Sequence, residues 1–365
     1  MMVVLAAILA LWCGAAQAQL TSTGVGGVPY RGPGDIFNGA TAAYGLVAYN
    51  AAWIANGPRK AINIYNQNST ATTDINVLAP SGTLDVAAAN AAGGTDAVCT
   101  GTASNTTSLV LTSCTSTPQQ NDGVSGGGAV APAYLVSCGS FTLGSGTCTL
   151  NANQTISGTV TFAIGLTVVK MYDMSGNTND TATQATTTQR PVLLTNCDSA
   201  SRPCIIYNGT SDYLAPPNLA VSQTFSAMVV VNRPVSNSIT GQWFRSASGP
   251  VSMNSTGSAN QAQISAGAGV SETLSDNALH VVQAVFAGAS SVANIDGTDF
   301  TSLNFGTNAI GGAINIGRAS TVSQWFPGYL NEIIIWSNAS GATSAAQRTS
   351  MCNNMRLKVG STGSC

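Results

Sequence analysis

The chain has 365 residues, of which 7% are charged, and its formal net charge at pH 7 is −2. Average domains carry roughly 25% charged residues, so serine, threonine, asparagine and glutamine must supply most of the polar surface. This weak charge excludes the basic footprint that nucleic acid or an anionic membrane surface would need. The length is ample for one large β-domain to bury a core.

Residues 1–18 predict a secretory signal peptide. An apolar segment from Val3 to Trp12 is followed by Ala16-Gln17-Ala18, a small-x-small cleavage site, although no lysine or arginine precedes it. The segment is too short to span a bilayer. We therefore expect cleavage after Ala18, no membrane span, and a secreted, extracellular or periplasmic protein.

Eight cysteines remain once the signal peptide is removed, and an even number in an exported chain indicates disulfides. Their clustering predicts bonds between near neighbours: Cys99 with Cys114, Cys138 with Cys148, Cys197 with Cys204, and Cys352 with Cys365. No cluster has the spacing of a zinc site.

The N-terminal part of the mature chain predicts short elements. Alanine-rich or periodic apolar residues indicate helices at 42–54 and 85–92, and alternation indicates a strand at 61–65. Residues 100–162 predict a β-rich insertion with little core of its own. Its expected elements are short strands at 109–111, 134–136 and 147–150, and a flexible loop at 123–128.

The stretch from Val168 to Leu214 predicts two strands, 168–171 and 205–207. Asp173 to Gly176 ends the first, because aspartate and serine side chains bond nearby backbone and glycine tolerates positive φ. Beyond it, turn signals at short spacing separate further strands, which is the rhythm of a β-sandwich. These strands are expected at 225–232, 242–245, 262–266, 280–286, 291–295, 313–316 and 330–336, with a closing helix at 345–357.

Two stretches resemble the catalytic domain of the α-L-arabinofuranosidase B family, within the laminin G-like and concanavalin A-like jelly rolls. The segment starting Tyr172-Asp173-Met174-Ser175-Gly176 and continuing to Asn179 is similar to the family's Y-D-x-S-G-x-x-N signature. Gly32-Pro33-Gly34-Asp35-Ile36 is similar to the family's G-P-C-D-I, with later features in the same order as far as Cys99. Gly34 replaces the family cysteine, so that family disulfide cannot form.

The resemblance implies one all-β jelly-roll sandwich over residues 19–365, with a few short helices, that interacts with carbohydrate. An active member would release arabinose from arabinan or arabinoxylan side chains. The family nucleophile is a glutamate on a strand that corresponds here to 261–266, and the acid/base is an aspartate after a strand like 313–317. Neither position offers an acid in this sequence.

Glycoside hydrolysis usually needs two carboxyl groups that flank the bond, and the chain has fourteen acidic residues. Glu272 and Glu332, the only glutamates, are the first catalytic candidates, followed by Asp296 and Asp299 near a predicted hairpin turn. A structural or solvent-facing role is the competing interpretation for each of the two glutamates.

Asp173 and Asp212 are predicted to cap backbone in polar turns, with a Ca²⁺ site as the alternative because hard cations prefer oxygen ligands. No other cofactor is expected. The single histidine, His280, leads an apolar strand and is predicted to be packed or at an edge. No G-x-S-x-G motif or histidine–aspartate pairing in the sequence predicts a serine hydrolase.

Aromatic faces could stack on sugar rings, whose C–H surface is apolar. Trp243, Trp325 and Phe326 are the candidates, and burial in the core is the competing role for each. Three functions remain open. One is a protein that binds a polysaccharide or surface glycan with weak or no hydrolysis, another is an active arabinofuranosidase, and the third is a structural envelope or fibre component.

Overall fold

The computed structural model describes residues 30–142, 144–197, 202–233, 240–248, 251–258, 260–319, 324–337, 342–359 and 365. The predicted signal peptide, its cleavage site and the start of the mature chain lie outside the described residues. None of the helices within these ranges is long and apolar enough to cross a membrane.

Strands dominate the described chain. They are β1 (Ala40–Gly45), β2 (Arg59–Asn66), β3 (Thr72–Val77), β4 (Thr95–Thr112), β5 (Gly123–Gly126), β6 (Leu135–Cys138), β7 (Gly146–Ala163), β8 (Leu166–Met171), β9 (Val192–Leu194), β10 (Cys204–Asn208), β11 (Phe225–Asn232), β12 (Gly241–Ser248), β13 (Val251–Ser255), β14 (Gln261–Ala266), β15 (Gly269–Thr273), β16 (Leu279–Phe286), β17 (Ser291–Ile295), β18 (Thr298–Leu303), β19 (Gly311–Ile316) and β20 (Pro327–Trp336). The helices are α1 (Pro33–Ile36), α2 (Ala51–Ile54), α3 (Val86–Gly93) and α4 (Ala345–Val359).

The strands form three sheets, and every strand pairing is antiparallel. The main sheet has eleven strands in the order β18-β17-β16-β11-β20-β10-β9-β8-β2-β3, with β1 also paired to β20. A five-stranded sheet has the order β15-β14-β13-β12-β19, and a four-stranded sheet contains β4, β7, β5 and β6. The predicted all-β sandwich with a few short helices is therefore confirmed.

The core lies between the main sheet and the five-stranded sheet. Alternate residues of β13 and β14, such as Met253 and Ile264, point into it and meet side chains from β11 and β20, such as Val229 and Ile333. Strands β11, β16 and β20 are buried almost throughout. Burial on both faces explains why these segments are nearly continuous apolar runs, whereas a strand with one solvated face alternates.

Helix α4 contributes Met351 and Met355 to the same buried cluster and contacts β16. Arg348 anchors the helix through two contacts. Its side-chain Nε donates to Asp299 at 2.9 Å, and its backbone carbonyl accepts from Gln283. The predicted closing helix is thus confirmed at Ala345–Val359.

The insertion is larger and more regular than the sequence predicts. Strands β4 and β7 each run for 18 residues and pair along most of their length. The segment predicted as a flexible loop forms β5, which pairs with β7. The strands of this sheet contribute a separate cluster of buried side chains that includes Leu109, Val160 and Phe162. The expectation that the insertion has little core of its own was therefore wrong.

Four disulfides join the predicted neighbours: Cys99–Cys114, Cys138–Cys148, Cys197–Cys204 and Cys352–Cys365. The first two lie within the insertion. The third links the segment after β9 to β10, and the fourth links α4 to the C-terminal residue. Disulfides persist in oxidising compartments, so this set is consistent with a location outside the cytoplasm.

The predicted helix at 42–54 was wrong over its first part. Ala42, Ala43 and Tyr44 belong to β1 and pair with Ile335, Ile334 and Ile333 of β20. Helix propensity is a weak preference, and pairing with a buried strand overrides it here. Only α2 at Ala51–Ile54 is helical. The helix predicted at 85–92 is confirmed as α3, with Asp85 as its N-cap acceptor.

Candidate functional site

The segment that carries the family signature holds β1 in place. Asp173 accepts hydrogen bonds from the backbone N–H groups of Ala43, Ser175 and Asn179, at 2.9 to 3.0 Å. Asn177 donates to the carbonyl of Ala40 at 2.7 Å. The predicted capping role of Asp173 is confirmed, because its carboxylate oxygens are used by backbone and side-chain donors rather than directed at a ligand.

Gly34 lies where the family carries cysteine, and the structure leaves no space for a side chain. A Cβ atom at Gly34 would lie 2.4 Å from a ring carbon of Tyr49. The Tyr49 ring is buried, and its hydroxyl accepts from the N–H of Ala40 at 2.9 Å. Packing against the Tyr49 ring therefore accounts for a glycine at this position.

Glu332 is enclosed in the core and has no exposed face. Its Oε1 accepts from the N–H groups of Leu46 and Val47 at 2.7 and 2.8 Å. Burial raises the pKa of this carboxyl well above its ordinary value. Gly45 is required beside it, since a Cβ there would lie 1.7 Å from the carboxylate oxygen Oε2. Glu332 therefore joins β20 to the chain after β1, which is the structural role weighed against catalysis.

Glu272 lies on the edge strand β15, opposite Ala262. Ala262 faces the core, so directly paired Glu272 lies on the same face of the five-stranded sheet, half-buried at its rim. Partial burial raises the pKa of this carboxyl. Glu272 and Glu332 therefore lie in different sheets, and neither projects from the side of the five-stranded sheet that faces away from the core.

The remaining candidate acids bind neighbouring basic groups. Asp299 forms an ion pair with Arg348, and a carboxylate oxygen of Asp296 lies 2.5 Å from the Nδ1 of His280. Asp296 and Gly297 both have positive φ and join β17 to β18, which confirms the predicted hairpin turn. His280 is buried as predicted.

His280 also approaches a serine, an arrangement that the sequence did not indicate. Its Nε2 lies 3.0 Å from the Oγ of Ser275 and 2.9 Å from the carbonyl oxygen of Ser275. The tautomer of the ring sets which of these contacts Nε2 donates to. The Ser275–His280–Asp296 chain joins the segment before β16 to the turn between β17 and β18.

The side of the five-stranded sheet that faces away from the core, termed the polar face, carries two rows of polar side chains aligned by strand register. Gln242, Asn254, Ser252 and Asn315 in these rows are buried, whereas Arg245, Gln263 and Ser265 are half-buried and Ser271 is exposed. Residues that alternate with core residues such as Phe244, Met253 and Ile264 belong to these rows. One row is Asn315, Arg245, Ser252 and Ser265, and the other is Gln242, Asn254, Gln263 and Ser271. Amide and hydroxyl groups occur in both rows, Arg245 adds a guanidinium to the first, and neither row contains a carboxylate.

Several polar groups of these rows are bonded to one another. Gln324 accepts from Gln242 at 3.0 Å and from Arg245 at 3.3 Å, and Asn254 donates to Gln263 at 3.5 Å. The Oε1 of Gln242 and the Nε of Arg245 are buried without a hydrogen-bond partner. Buried polar atoms without partners are uncommon, so these two mark positions where a bound hydroxyl would be favourable.

An aromatic cluster lies at the end of the polar face. The rings of Tyr213 and Trp325 are 6.2 Å apart, and the Arg318 guanidinium lies 3.2 Å from the Tyr213 ring centre. The Nε of Arg318 donates to Asn315 at 3.3 Å, which joins this cluster to the polar rows. Trp325 is half-buried.

Trp243 and Phe326 are both fully buried, with 0% of their surface exposed. Trp243 occupies a bulge in β12, and its ring belongs to the sandwich core. The predicted role of Trp243 and Phe326 as exposed faces for sugar stacking is therefore wrong. Both side chains pack in the core, which was the competing interpretation.

Within the described residues, no group of three or more histidine, cysteine, aspartate or glutamate side chains is placed to hold a metal. Asp212, the second proposed Ca²⁺ ligand, accepts from the N–H of Asn208 at 3.0 Å. Burial raises the pKa of Asp212 to about 7. The two aspartates act as caps in different turns. A Ca²⁺ site formed by them stays a prediction.

No protein-family model matches the sequence, and no curated protein matches it. Among solved structures, the chain is similar to a mutant GH54 α-L-arabinofuranosidase soaked with 4-nitrophenyl α-L-arabinofuranoside, with a TM-score of 0.57 and 12% identity. It is also similar to an arabinofuranosidase complexed with arabinofuranosyl-α-1,2-xylobiose, with a TM-score of 0.56 and 11% identity. Both matches cover 90% of this chain and 65% of the other chain. The chain thus spans just under two thirds of those proteins. At this identity, the likeness shows a shared jelly-roll fold.

Proposed function

We propose that this protein is an exported saccharide-binding β-sandwich, related to the arabinofuranosidase B family, with weak or no hydrolytic activity. The observation that carries the proposal is the polar face, where two register-aligned rows supply amide, hydroxyl and guanidinium groups without a carboxylate. Hydrolysis needs two carboxyl groups about 5–5.5 Å or about 6.5–9.5 Å apart across the bond.

The polar face matches the hydrogen-bonding needs of a sugar. Amide side chains such as Gln263 both donate and accept, as sugar hydroxyls do, and Arg245 adds donors. Trp325 offers an aromatic surface at the end of the rows, where the apolar C–H side of a sugar ring could stack. The fold shared with arabinofuranosidases favours an arabinose-bearing polysaccharide as the partner. The four disulfides support export.

Binding is tested first with the purified mature protein on an array that includes arabinan, arabinoxylan and surface glycans. We expect selective retention of at least one polysaccharide. Trp325→Ala should weaken that binding about fivefold to tenfold, since loss of an aromatic contact costs on the order of 1 kcal/mol beyond area. The matched control is Val110→Ala, because Val110 is exposed on the insertion. Absence of binding across the array would favour the structural-component alternative.

An active arabinofuranosidase is the second candidate, and the fold likeness is the observation that favours it. Release of nitrophenol from nitrophenyl α-L-arabinofuranoside separates the two functions. Catalytic carboxylates usually contribute several orders of magnitude, so the proposal requires only trace turnover. Ordinary turnover that an acid-to-amide change abolishes would establish the enzyme, with Glu272 and Glu332 as the first positions to replace.

A further inference from the structure

A cavity lies between the insertion and the main sheet, on the side of the main sheet that faces away from the sandwich core. This insertion cleft has a volume of about 510 Å³. One wall comes from the insertion, through Gln120, Asn121, Tyr134 and Val136. The other comes from β2, β8, β9, β10 and the segment around 187–190. Val192 and Ile206 on this wall belong to a small cluster separate from the sandwich core, so the cleft does not share the polar face.

Arg190 lies on the sandwich wall of the cleft and is 9% exposed. Its Nε donates to the carbonyl of Gln184 at 2.7 Å, and its Nη2 donates to the carbonyl of Ala185 at 3.0 Å. The guanidinium stacks 4.6 Å from the centre of the Tyr65 ring. These contacts hold the group in one orientation.

The third nitrogen of the Arg190 guanidinium, Nη1, is buried without a hydrogen-bond partner. No ion pair joins Arg190 to a carboxylate of the described chain. Arginine stays charged in proteins, so this wall holds a buried positive charge without a counter-ion. Such a charge is costly unless something pairs with it, and a bound anion would supply the missing partner.

The rest of the lining suits a sugar. Thr167 is 3% exposed, and its hydroxyl has no partner either. Further amide and hydroxyl groups come from Asn208 and Thr188, while Ile206 adds an apolar surface. The volume lies within the range of ordinary small-molecule sites. Hydroxyl-rich lining around one cation therefore matches a polyhydroxylated ligand that bears one negative group.

We infer that the insertion cleft binds a saccharide carrying a carboxylate, with Arg190 as the partner of the carboxylate and Thr167 as a neighbouring hydrogen-bonding group. A uronic acid unit within a polysaccharide has this chemistry. The site is distinct from the polar face, and it stands or falls independently of the proposed function.

Asp212 is a carboxyl group in the lining of this cleft. Its oxygens accept from the N–H of Asn208 and lie 3.4 Å from the hydroxyl of Ser211. Because burial raises its pKa to about 7, this carboxyl is largely neutral in mildly acidic solution. Binding is therefore measured at mildly acidic pH, where the uronate is ionised and Asp212 does not repel it.

The test is isothermal titration of the mature protein with trigalacturonate and with its fully methyl-esterified form. The two probes share one backbone and differ in the carboxylate. We expect saturable binding of trigalacturonate and at least about tenfold weaker binding of the ester, because hydrogen bonds to charged groups contribute more than neutral ones. Arg190→Met should weaken trigalacturonate binding by a similar factor.

A surface variant keeps the test valid should Arg190→Met fail to fold. Val136 lies on the insertion wall and is 42% exposed, so Val136→Asp adds a negative charge at the cleft without opening a core. We expect Val136→Asp to weaken trigalacturonate binding severalfold, and Val136→Thr, the uncharged control of similar shape, to leave it unchanged. Thermal unfolding of each variant verifies the fold.

Three results would overturn the inference: no binding of trigalacturonate by the wild-type protein, equal binding of acid and ester, or binding insensitive to both Arg190→Met and Val136→Asp. Trp325→Ala separates the two proposals, because Trp325 lies at the end of the polar face and is not among the residues that line the cleft. Loss of binding to neutral arabinan in Trp325→Ala, with trigalacturonate binding retained, would assign the two sites separately.

Discussion

The sandwich and the insertion bury their apolar side chains in different ways. The sandwich has one extensive cluster between two sheets, and no disulfide among the described residues joins those two sheets. Among its described residues the insertion has a cluster of 13 buried side chains, and two disulfides close its loops. Small units bury a smaller share of their surface, so cross-links matter more where the core is small.

The two candidate sites also differ in how they are formed. The polar face is formed within one sheet, and strand register positions its side chains. The insertion cleft is formed where two units meet, and contacts such as the Gln67 side chain with the Gln120 carbonyl at 3.1 Å close one end of it. Weakening the insertion should therefore affect the cleft before it affects the polar face.

The largest expected effect comes from emptying each core at a fully buried aromatic residue. Trp243→Ala should lower the free energy of unfolding of the sandwich by about 3–5 kcal/mol. Phe162→Ala, the insertion counterpart at 0% exposure, should loosen the insertion while the main unfolding transition persists. Calorimetry and hydrogen exchange measure both. An equal drop of the main transition in Phe162→Ala would show that the two cores unfold together.

Removing the Cys99–Cys114 disulfide sharpens the comparison. Its loop spans 15 residues, and the chain-entropy model assigns roughly 3 kcal/mol to such a loop. The double variant Cys99→Ala/Cys114→Ala should therefore increase proteolysis within 95–163 and weaken ligand binding in the cleft. The control is Cys352→Ala/Cys365→Ala, which opens a loop of similar length, 13 residues, outside the insertion and away from the cleft. Greater loss from the control pair would contradict the expected dependence on core size.

Each of the two units contains a buried carboxyl group whose raised pKa makes stability depend on pH. Burial, followed by the neighbouring Asp96, raises the pKa of Asp122 to about 8, and burial raises that of Asp212 to about 7. The unfolded chain releases these protons near the ordinary value of 3.8. Stability contributed by the bound protons is therefore present at low pH, falls as pH rises from about 4 and is lost above about 8.

Asp122 accepts from the N–H of Gly165 at 2.8 Å and so connects the insertion to β8. We expect the free energy of unfolding to fall by a few kcal/mol at most between pH 4 and 8. Asp122→Asn and Asp212→Asn should each flatten that slope. Unfolding in denaturant at several pH values measures it, and an unchanged slope in both variants would contradict the assignment.

The smallest expected effect concerns the Ser275–His280–Asp296 chain. If it only closes a turn, Ser275→Ala should cost about 1 kcal/mol of stability, and a fluorophosphonate reagent should leave Ser275 unlabelled. Thermal unfolding and mass spectrometry provide the two measurements. Stoichiometric labelling of Ser275 that His280→Ala abolishes would instead assign a nucleophile to this chain.

The central strands could be predicted from sequence because burial on both faces leaves a legible apolar run, as in residues 225–232. The disulfides could be predicted because each pair is close in sequence. The long strands of the insertion could not, since their exposed positions are threonine, serine and asparagine, which resemble turn residues. Gly123 and Gly126 likewise suggested a loop, although pairing with β7 makes them part of a strand.

The sites were harder to predict than the strands. Trp243 and Trp325 have similar polar and apolar neighbours in sequence, and only packing separates a core ring from a half-buried one. The polar rows depend on the register between β12, β13, β14 and β19. Of these strands, β12 and β19 pair although they lie far apart in sequence. Arg190 gave no signal, because a lone arginine in a polar segment is normally solvated.

Strand β20 pairs with β10 at residues 327–329 and with β1 at residues 332–336, and it pairs with β11 along residues 329–336. Its pairing of Ala40 with Trp336 joins residues that are far apart in sequence. During synthesis, β1 therefore has no partner in β20 until the chain has been made as far as Trp336. Non-local pairing of this kind slows folding. The insertion, whose β4 and β7 are close in sequence, can complete its sheet and its two disulfides while the sandwich still waits for its last strand.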